Sequence, residues 1–389
     1  MQRKQLILNP VENLPELFNI HLSHQIQGLY VSDKYKTDDI VKNSKLGFSG
    51  REHYSNLIHD TYKSWGKQLE VQHLSMRLLS GLHAHIVLFM GLGKIGDTVM
   101  LLPECAGGHY ATKQILERLG YNVIEMISDD EAQCIDIPKT KKLIDNMNPN
   151  LIFVDRSEGL YFEDFSELLN NVPEQCGKIF DASQYLTNIL MKDFKSPFSM
   201  GFDIMMSTLH KNFPGPQKAL VCSKNQNIYW TRIENAMSSY VSNLHPENVL
   251  IAGEILKYEQ VLKEYSKQML QNSVLLEEQL AKWGLPVIER DLQKTPTHHI
   301  WLKPNNQDKA FEFYKDMEQC GLLVNYRKLP YNLGYGIRMG TSAATLQGVN
   351  KNNIKDLATL IFKIYTIGVK KDLINQTQEF IESLVPIIE

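Results

Sequence analysis

Lys211 stands in the segment Ser207-Thr208-Leu209-His210-Lys211-Asn212-Phe213-Pro214-Gly215-Pro216, a setting suited to imine chemistry. The run Asp203-Ile204-Met205-Met206 leads in, and the turn formers from Asn212 to Pro216 prevent a helix from following. That pattern predicts a lysine at the end of a buried strand. Desolvation there lowers an ammonium pKa and frees the amine to attack an aldehyde. A surface lysine in a Pro/Gly loop is the plainer alternative, so the other chemistry-bearing residues must decide.

Asp181 closes the apolar stretch Lys178-Ile179-Phe180, one strand before the lysine. Alone it reads equally as a helix cap. An acid and a lysine at neighbouring strand ends are what a pyridoxal phosphate site needs. The acid keeps the pyridine nitrogen protonated, so that the ring accepts electrons, and the lysine holds the aldehyde as an imine. His109, after Cys105-Ala106-Gly107-Gly108, lies past another strand end, as a loop histidine or as a ring stacked on a planar cofactor. Arg338 sits in the apolar strand Gly336-Ile337-Arg338-Met339-Gly340-Thr341. Its guanidinium suits either an internal salt bridge or bidentate capture of a carboxylate.

Two other motifs lead nowhere. Gly91-Leu92-Gly93-Lys94-Ile95-Gly96 spells GxGxxG but closes a helix and opens a strand, the reverse of a dinucleotide fingerprint, so it is a turn. His83 and His85 face different ways on a helix and no carboxylate completes a ligand set, which argues against a metal.

The elements that must position these residues alternate from about residue 70. Helices are expected at 71–90, 110–119, 139–147 and 165–170, and strands at 97–102, 121–127, 151–154, 178–180 and 202–206. Short apolar strands separated by helices predict an α/β fold, a mainly parallel sheet covered by helices on both faces, with ligands at the carboxyl ends of its strands. Asp155, Asp181 and Thr208–Lys211 all fall at such ends. A long helical stretch, 246–283, leads past Gly284 to a smaller α+β section with strands at 298–302, 322–324 and 335–339 and two helices from Asn353. The expected division is an N-terminal arm at 1–45, a large domain at 46–284 and a small C-terminal domain at 285–389.

With 389 residues, 43% hydrophobic, the chain exceeds the ~250–300 residues one core usually serves, so two domains are expected. A net charge of −3 gives no reason to expect nucleic acid, and no apolar run is long enough to span a bilayer. The N-terminus has no signal-peptide pattern, and the five scattered cysteines lack CxxC spacing. Free thiols in a reducing cytoplasm are the expectation.

From about Ser32 to Gly348 the motifs together resemble fold-type I pyridoxal-phosphate enzymes, specifically the serine hydroxymethyltransferase group, with an aspartate aminotransferase-like large domain. Ser32-Asp33-Lys34 resembles the family's Ser-Glu-Asn, whose serine helps hold the substrate carboxylate. Gly47-Phe48-Ser49-Gly50-Arg51-Glu52-His53-Tyr54 resembles Gly-Tyr-Pro-Gly-Lys-Arg-Tyr-Tyr, which places Tyr54 on the active-site tyrosine. Ser80-Gly81-Leu82-His83-Ala84-His85 resembles the helix start that cradles the cofactor phosphate through backbone amides, and puts His85 near substrate. Gly107-Gly108-His109 matches the motif whose histidine stacks on the pyridine ring. The resemblance further puts Ser157 near the phenolic oxygen, Asp181 on the ring nitrogen, Thr208 and His210-Lys211 on the Schiff-base segment, and Arg338 on the carboxylate.

Departures from the pattern bear on the reaction. The folate-linked glutamate is Leu46, a tyrosine that acts on the neighbouring subunit is Ser44, and a serine of the phosphate cradle is Leu82. The family's Ala-His after the aspartate becomes Ala182-Ser183-Gln184, putting Gln184 at the histidine, and its cross-dimer Phe-Pro-Gly…Gly-Gly-Pro loop becomes Ser238–His245. The resemblance therefore implies a homodimeric, cytoplasmic enzyme acting on a small amino acid, with no nucleic-acid or membrane partner. It favours folate-independent aldolase or transaldolase chemistry at the Cα–Cβ bond of a β-hydroxy amino acid. Tyr54, His109 and His85 are the candidate bases. A racemase, aminotransferase or decarboxylase on the same fold is one alternative, and a degenerate cofactor-binding protein without turnover is another.

Overall fold

The computed structural model describes residues 6–7, 52–170, 172–241 and 245–387. Its centre is a seven-stranded sheet made of β1 (His73–Leu78), β2 (Thr98–Leu101), β3 (Asn122–Glu125), β4 (Leu151–Val154), β5 (Gly177–Asp181), β6 (Ile204–Thr208) and β7 (Ala219–Ser223). The spatial order is β1-β7-β6-β5-β4-β2-β3. Strands β6 to β3 run parallel, and β7 is antiparallel to both its neighbours.

All four residues of β4, Leu151-Ile152-Phe153-Val154, are buried, and their alternation feeds two separate cores. Ile152 and Val154 join Trp65, Tyr185 and Phe213 on one face, where α1 (Glu52–Leu69) packs. Leu151 and Phe153 join Phe89 and Trp230 on the other, beneath α2 (Gly81–Leu92) and α5 (Ile228–Tyr240). Between them in the chain lie α3 (Thr112–Arg118) and α4 (Ile137–Met147). A strand buried on both faces needs such a continuous apolar run.

The expected helix over 71–90 is two elements. His73–Leu78 is strand β1, and only after Ser80 does α2 begin, with the Ser80 hydroxyl accepting the N–H of His83. The strand-forming influence is tertiary: β1 pairs with β7, itself a strand the sequence pattern did not reveal. Nor is 246–283 a single helix, but α6 (Pro246–Leu256) and α7 (Glu259–Lys282), broken at Lys257-Tyr258 without glycine or proline. The glycine motif at 91–96 is a turn: Gly93 caps α2 and Gly96 takes φ +88° just before β2.

A third core gathers around β8 (His299–Leu302), β9 (Asn325–Leu329) and β10 (Gly334–Gly340), an antiparallel sheet with β10 central. Helices α8 (Gln307–Gln319), α9 (Ile354–Ile367) and α10 (Lys371–Ser383) cover it. The expected strand at 322–324 is only Leu322–Leu323, paired in parallel with Leu6–Ile7, and β9 follows it. Helix α7 ties the cores together, with Leu262, Tyr265 and Met269 in one and Leu276 and Leu280 in the other.

The loop after β4 locks the two parts at the site. Buried Arg156 donates from Nη1 to Ala106 O at 2.8 Å and to the Tyr331 hydroxyl at 2.6 Å, and ion-pairs with Glu163. Thr297 donates to Gly159 O at 2.6 Å. Gly107, at φ +89°, accepts the N–H groups of Ser157 and Glu158, and a Cβ there would lie 1.9 Å from Glu158 O. Gly107→Ala therefore combines backbone strain of about 1–3 kcal/mol with a steric clash against main chain. We expect an unfolding free energy lower by at least that amount, read as a lower urea midpoint, together with weaker cofactor retention. An unchanged midpoint would show that the loop relaxes freely.

Candidate active site

Asp181, the last residue of β5, is almost enclosed, with its side chain 11% exposed. Its Oδ1 accepts the Ser183 hydroxyl at 2.5 Å and the Ser183 N–H at 2.9 Å. Its Oδ2 meets His85 Nε2 at 3.0 Å. Burial alone would push this carboxyl up, but the His85 contact, the nearby Lys211 charge and the Ser183 hydroxyl together hold it below the ordinary aspartate value. The site thus contains a buried carboxylate that stays ionised.

The network continues away from the carboxylate. Thr112 Oγ1 lies 3.4 Å from His85 Nδ1 and donates to Asp155 Oδ2 in a short contact. Asp155 is fully buried at the end of β4, and burial drives its carboxyl well up, with the Asp181 charge adding to the shift. Two acids at adjacent strand ends are thereby pushed apart, one ionised and one favouring its proton. His85, at 2% exposed, is committed through both ring nitrogens. The imidazole, expected beside substrate, here props the Asp181 carboxylate.

Lys211 follows β6 and sits close enough to Asp181 and Arg338 to feel both charges. Burial lowers its ammonium pKa, Asp181 partly opposes that, and Arg338 adds to the lowering. Thr208 Oγ1, His210 Nδ1 and Gln184 Oε1 are buried with no hydrogen-bond partner among the described residues. Such orphaned polar atoms cost free energy unless a ligand meets them. The first turn of α2 opens beside Thr208, since a Cβ on Gly81 would lie 2.9 Å from Thr208 Cγ2. Helix geometry leaves the leading N–H groups there available to an anion, and exposed Leu82 adds only backbone to that end.

His109 and Ser157 come from the loops after β2 and β4, both anchored on Gly107. The His109 ring stands edge-on to His85, 5.8 Å between centroids, and stacks on Tyr110. Burial, with the His85 and Lys211 charges, lowers its pKa to about 4, so the imidazole is neutral near pH 7. Arg338 arrives from β10 and is 3% exposed. It donates from Nη2 to Asn325 Oδ1 at 2.9 Å, and its Nη1 lies 3.4 Å from Glu158 Oε2. Burial lowers its pKa to about 10, which leaves it a cation.

The structure thus brings together Asp181, Lys211, His109, Ser157, Thr208, His210, Gln184, the 80–82 turn and Arg338. Ser32 lies outside the described residues, as do Ser44 and Leu46; Tyr54 falls in the first turn of α1, its side chain outside the described set. The sequence reading missed Thr112, Ser183, Glu158 and Arg327. Asp155 had a signal, a lone acid closing an apolar strand. Thr112 had none.

A family model described as serine hydroxymethyltransferase matches residues 50–361. The chain belongs to the serine hydroxymethyltransferase family. The serine hydroxymethyltransferase of Sulfolobus acidocaldarius is 26% identical over 379 residues, covering 93% of this chain and 87% of its own. That of Saccharolobus islandicus is 29% identical over 325 residues, 79% and 74% of the two chains. Among solved structures, L-threonine transaldolase from Pseudomonas fluorescens in its internal aldimine state superposes with a TM-score of 0.90. It is 22% identical and covers 99% of this chain and 88% of that one, which shows a common fold. As a serine hydroxymethyltransferase family member the protein is a pyridoxal-phosphate-dependent enzyme of amino-acid aldol chemistry. The orphaned polar atoms and the ionised Asp181 fit that cofactor.

His109 and His210 both have pKa values lowered to about 4 by burial. The unfolded chain takes up their protons near pH 6.5 while the folded one does not. Their contribution to stability is complete above that pH and is lost as the pH falls toward 4, at up to about 1.4 kcal/mol per unit for each group. Urea midpoints measured from pH 7 to 4.5 are expected to fall, and His210→Asn is expected to flatten the slope. Parallel slopes for both proteins would refute the assignment.

Proposed function

We propose that the protein cleaves or forms the Cα–Cβ bond of a β-hydroxy amino acid without folate, as an aldolase or transaldolase. Pyridoxal phosphate would be held by Lys211 through its aldehyde and by Asp181 at the ring nitrogen. His109 would lie against the ring, Ser157 near the phenolic oxygen, and the 80–82 turn, Gln184, Thr208 and His210 around the remaining polar groups. When bound, the cofactor supplies an electron sink for the pair released at Cα. The observation that carries this reading is the single charge cluster of an ionised buried carboxylate, an amine with a lowered pKa and a buried arginine.

Arg338, aided by Ser32, takes the substrate carboxylate and so fixes which bond at Cα is weakened. With His85 engaged by Asp181, the β-hydroxyl proton falls to Tyr54 or to the neutral ring of His109. A nearby base contributes about 10²–10⁴-fold. Leu46, where the family carries its folate-linked glutamate, removes the proton relay of one-carbon transfer. The same proposal includes the division at 1–45, 46–284 and 285–389 and a cytoplasmic location. It also includes a homodimer, supported by the stripe Leu82, Ile86 and Met90 along α2, which leaves large apolar side chains about two-fifths exposed. No helix among the described residues is long and apolar enough to cross a membrane.

The test is aldehyde release from L-threonine, L-allo-threonine and L-serine, with and without tetrahydrofolate. Folate-independent aldehyde is expected, reduced to background in Lys211→Ala and lowered about 10²–10⁴-fold in His109→Ala. Serine cleavage that appears only with tetrahydrofolate would sink the proposal. Deuterium exchange at Cα without aldehyde would point instead to a racemase, aminotransferase or decarboxylase. Borohydride reduction of the loaded protein is expected to leave the cofactor covalently on Lys211, read by peptide mass.

A further inference from the structure

Among the described residues Arg338 ion-pairs only with Glu158, which it shares. Glu158 is 2% exposed and is approached by two guanidinium groups. Its Oε1 makes a tight ion pair with Arg327 Nη2, whereas its Oε2 is 3.4 Å from Arg338 Nη1 and has no hydrogen-bond partner among the described residues. The two arginines come from neighbouring strands. Asn325 pairs with Arg338 and Arg327 with Gly336, so alternate residues of β9 and β10 put Asn325, Arg327 and Arg338 on one face. Arg327 is about one-third exposed, Arg338 is enclosed, and Arg338 Nε has no partner among the described residues.

The charges in this cluster do not cancel. Arg327 and Arg338 share the one carboxylate of Glu158, Glu104 acts on Glu158 from outside the cluster, and Lys211 lies within reach of the Arg338 charge. If Glu158 closed fully on Arg338, an incoming carboxylate would meet a neutralised guanidinium and a like charge in a poorly solvated pocket. The observed lengths show Glu158 drawn the other way.

We propose that Arg327 is a positioning residue: by gripping Glu158 it keeps the Arg338 guanidinium free for the carboxylate of the amino-acid substrate. This rests on the role given to Arg338 above. Removing Arg327 lets Glu158 turn onto Arg338, and the substrate carboxylate then competes with an internal one.

The experiment is an absorbance titration of the holoprotein with glycine and, separately, with methylamine, which has the amine and no carboxylate. For Arg327→Met we expect glycine binding roughly tenfold weaker or more and methylamine binding within about twofold of wild type. Adding Glu158→Gln to Arg327→Met is expected to restore glycine binding, and Arg327→Lys to stay near wild type because the charge remains. Equal weakening of both probes, or no rescue by Glu158→Gln, overturns the proposal. Arg338→Met separates the two levels. If it leaves glycine binding unchanged, the role of Arg338 itself fails. If it weakens glycine while Arg327→Met does not, only the positioning role fails.

Discussion

The site depends on keeping one carboxylate ionised where burial opposes it. Asp181 lies at the end of a central strand, nearly out of water, and an isolated carboxyl there would take up a proton. The His85 contact, the nearby Lys211 charge and the Ser183 hydroxyl reverse that preference. Both hydrogen-bond partners are fixed by something further out. Ser183 Oγ also accepts the Thr208 N–H at 2.9 Å, which ties the carboxylate to the strand that carries Lys211. His85 is set by Thr112 and, through it, by Asp155. The geometry of this acid therefore follows from three neighbouring strand ends rather than from one loop.

That arrangement explains why the parallel order β6-β5-β4-β2 matters for chemistry. Each strand delivers one component at its carboxyl end: Lys211 after β6, Asp181 on β5, Asp155 and Ser157 after β4, His109 after β2. The loops after β4 and β2 are then bonded to one another through Gly107, and to the turn between β9 and β10 through Arg156 and Tyr331. Arg338 lies on β10 of the other sheet, so its distance from the lysine is set by packing between the two parts. The loops that carry the components are short and start directly at strand ends, which limits their freedom.

Strands β4, β5 and β6 were legible because each is short, buried on both sides and closed by a polar residue. Leu151–Val154 followed by Asp155 needs no tertiary information to be recognised. β1 was not legible: His73-Leu74-Ser75-Met76-Arg77-Leu78 has no β-branched residue and runs into an apolar helix, so only pairing with β7 makes it a strand. Chemistry divided in the same way. Lys211, Asp181, His109 and Arg338 are marked by local sequence. The His85 contact joins residues 96 positions apart, and the Thr112 contact to Asp155 joins residues 43 apart, neither with any local pattern.

His85 shows how a side chain can match a motif position and still do different work. Its place in the 80–85 segment suggested the substrate side of the site, because residues there line the cofactor. Yet the helix rotates it inward, where Phe153 packs edge-on at 5.0 Å and water is excluded. In that enclosure both ring nitrogens face protein groups, Asp181 on one side and Thr112 on the other. Its value lies instead in the charge it keeps on Asp181, and through that charge in the acidity of whatever ring nitrogen the carboxylate faces. The buried relay around Asp181 and the arginine face of the second sheet are thus separate parts of the same fold, one holding a charge and the other presenting guanidinium groups.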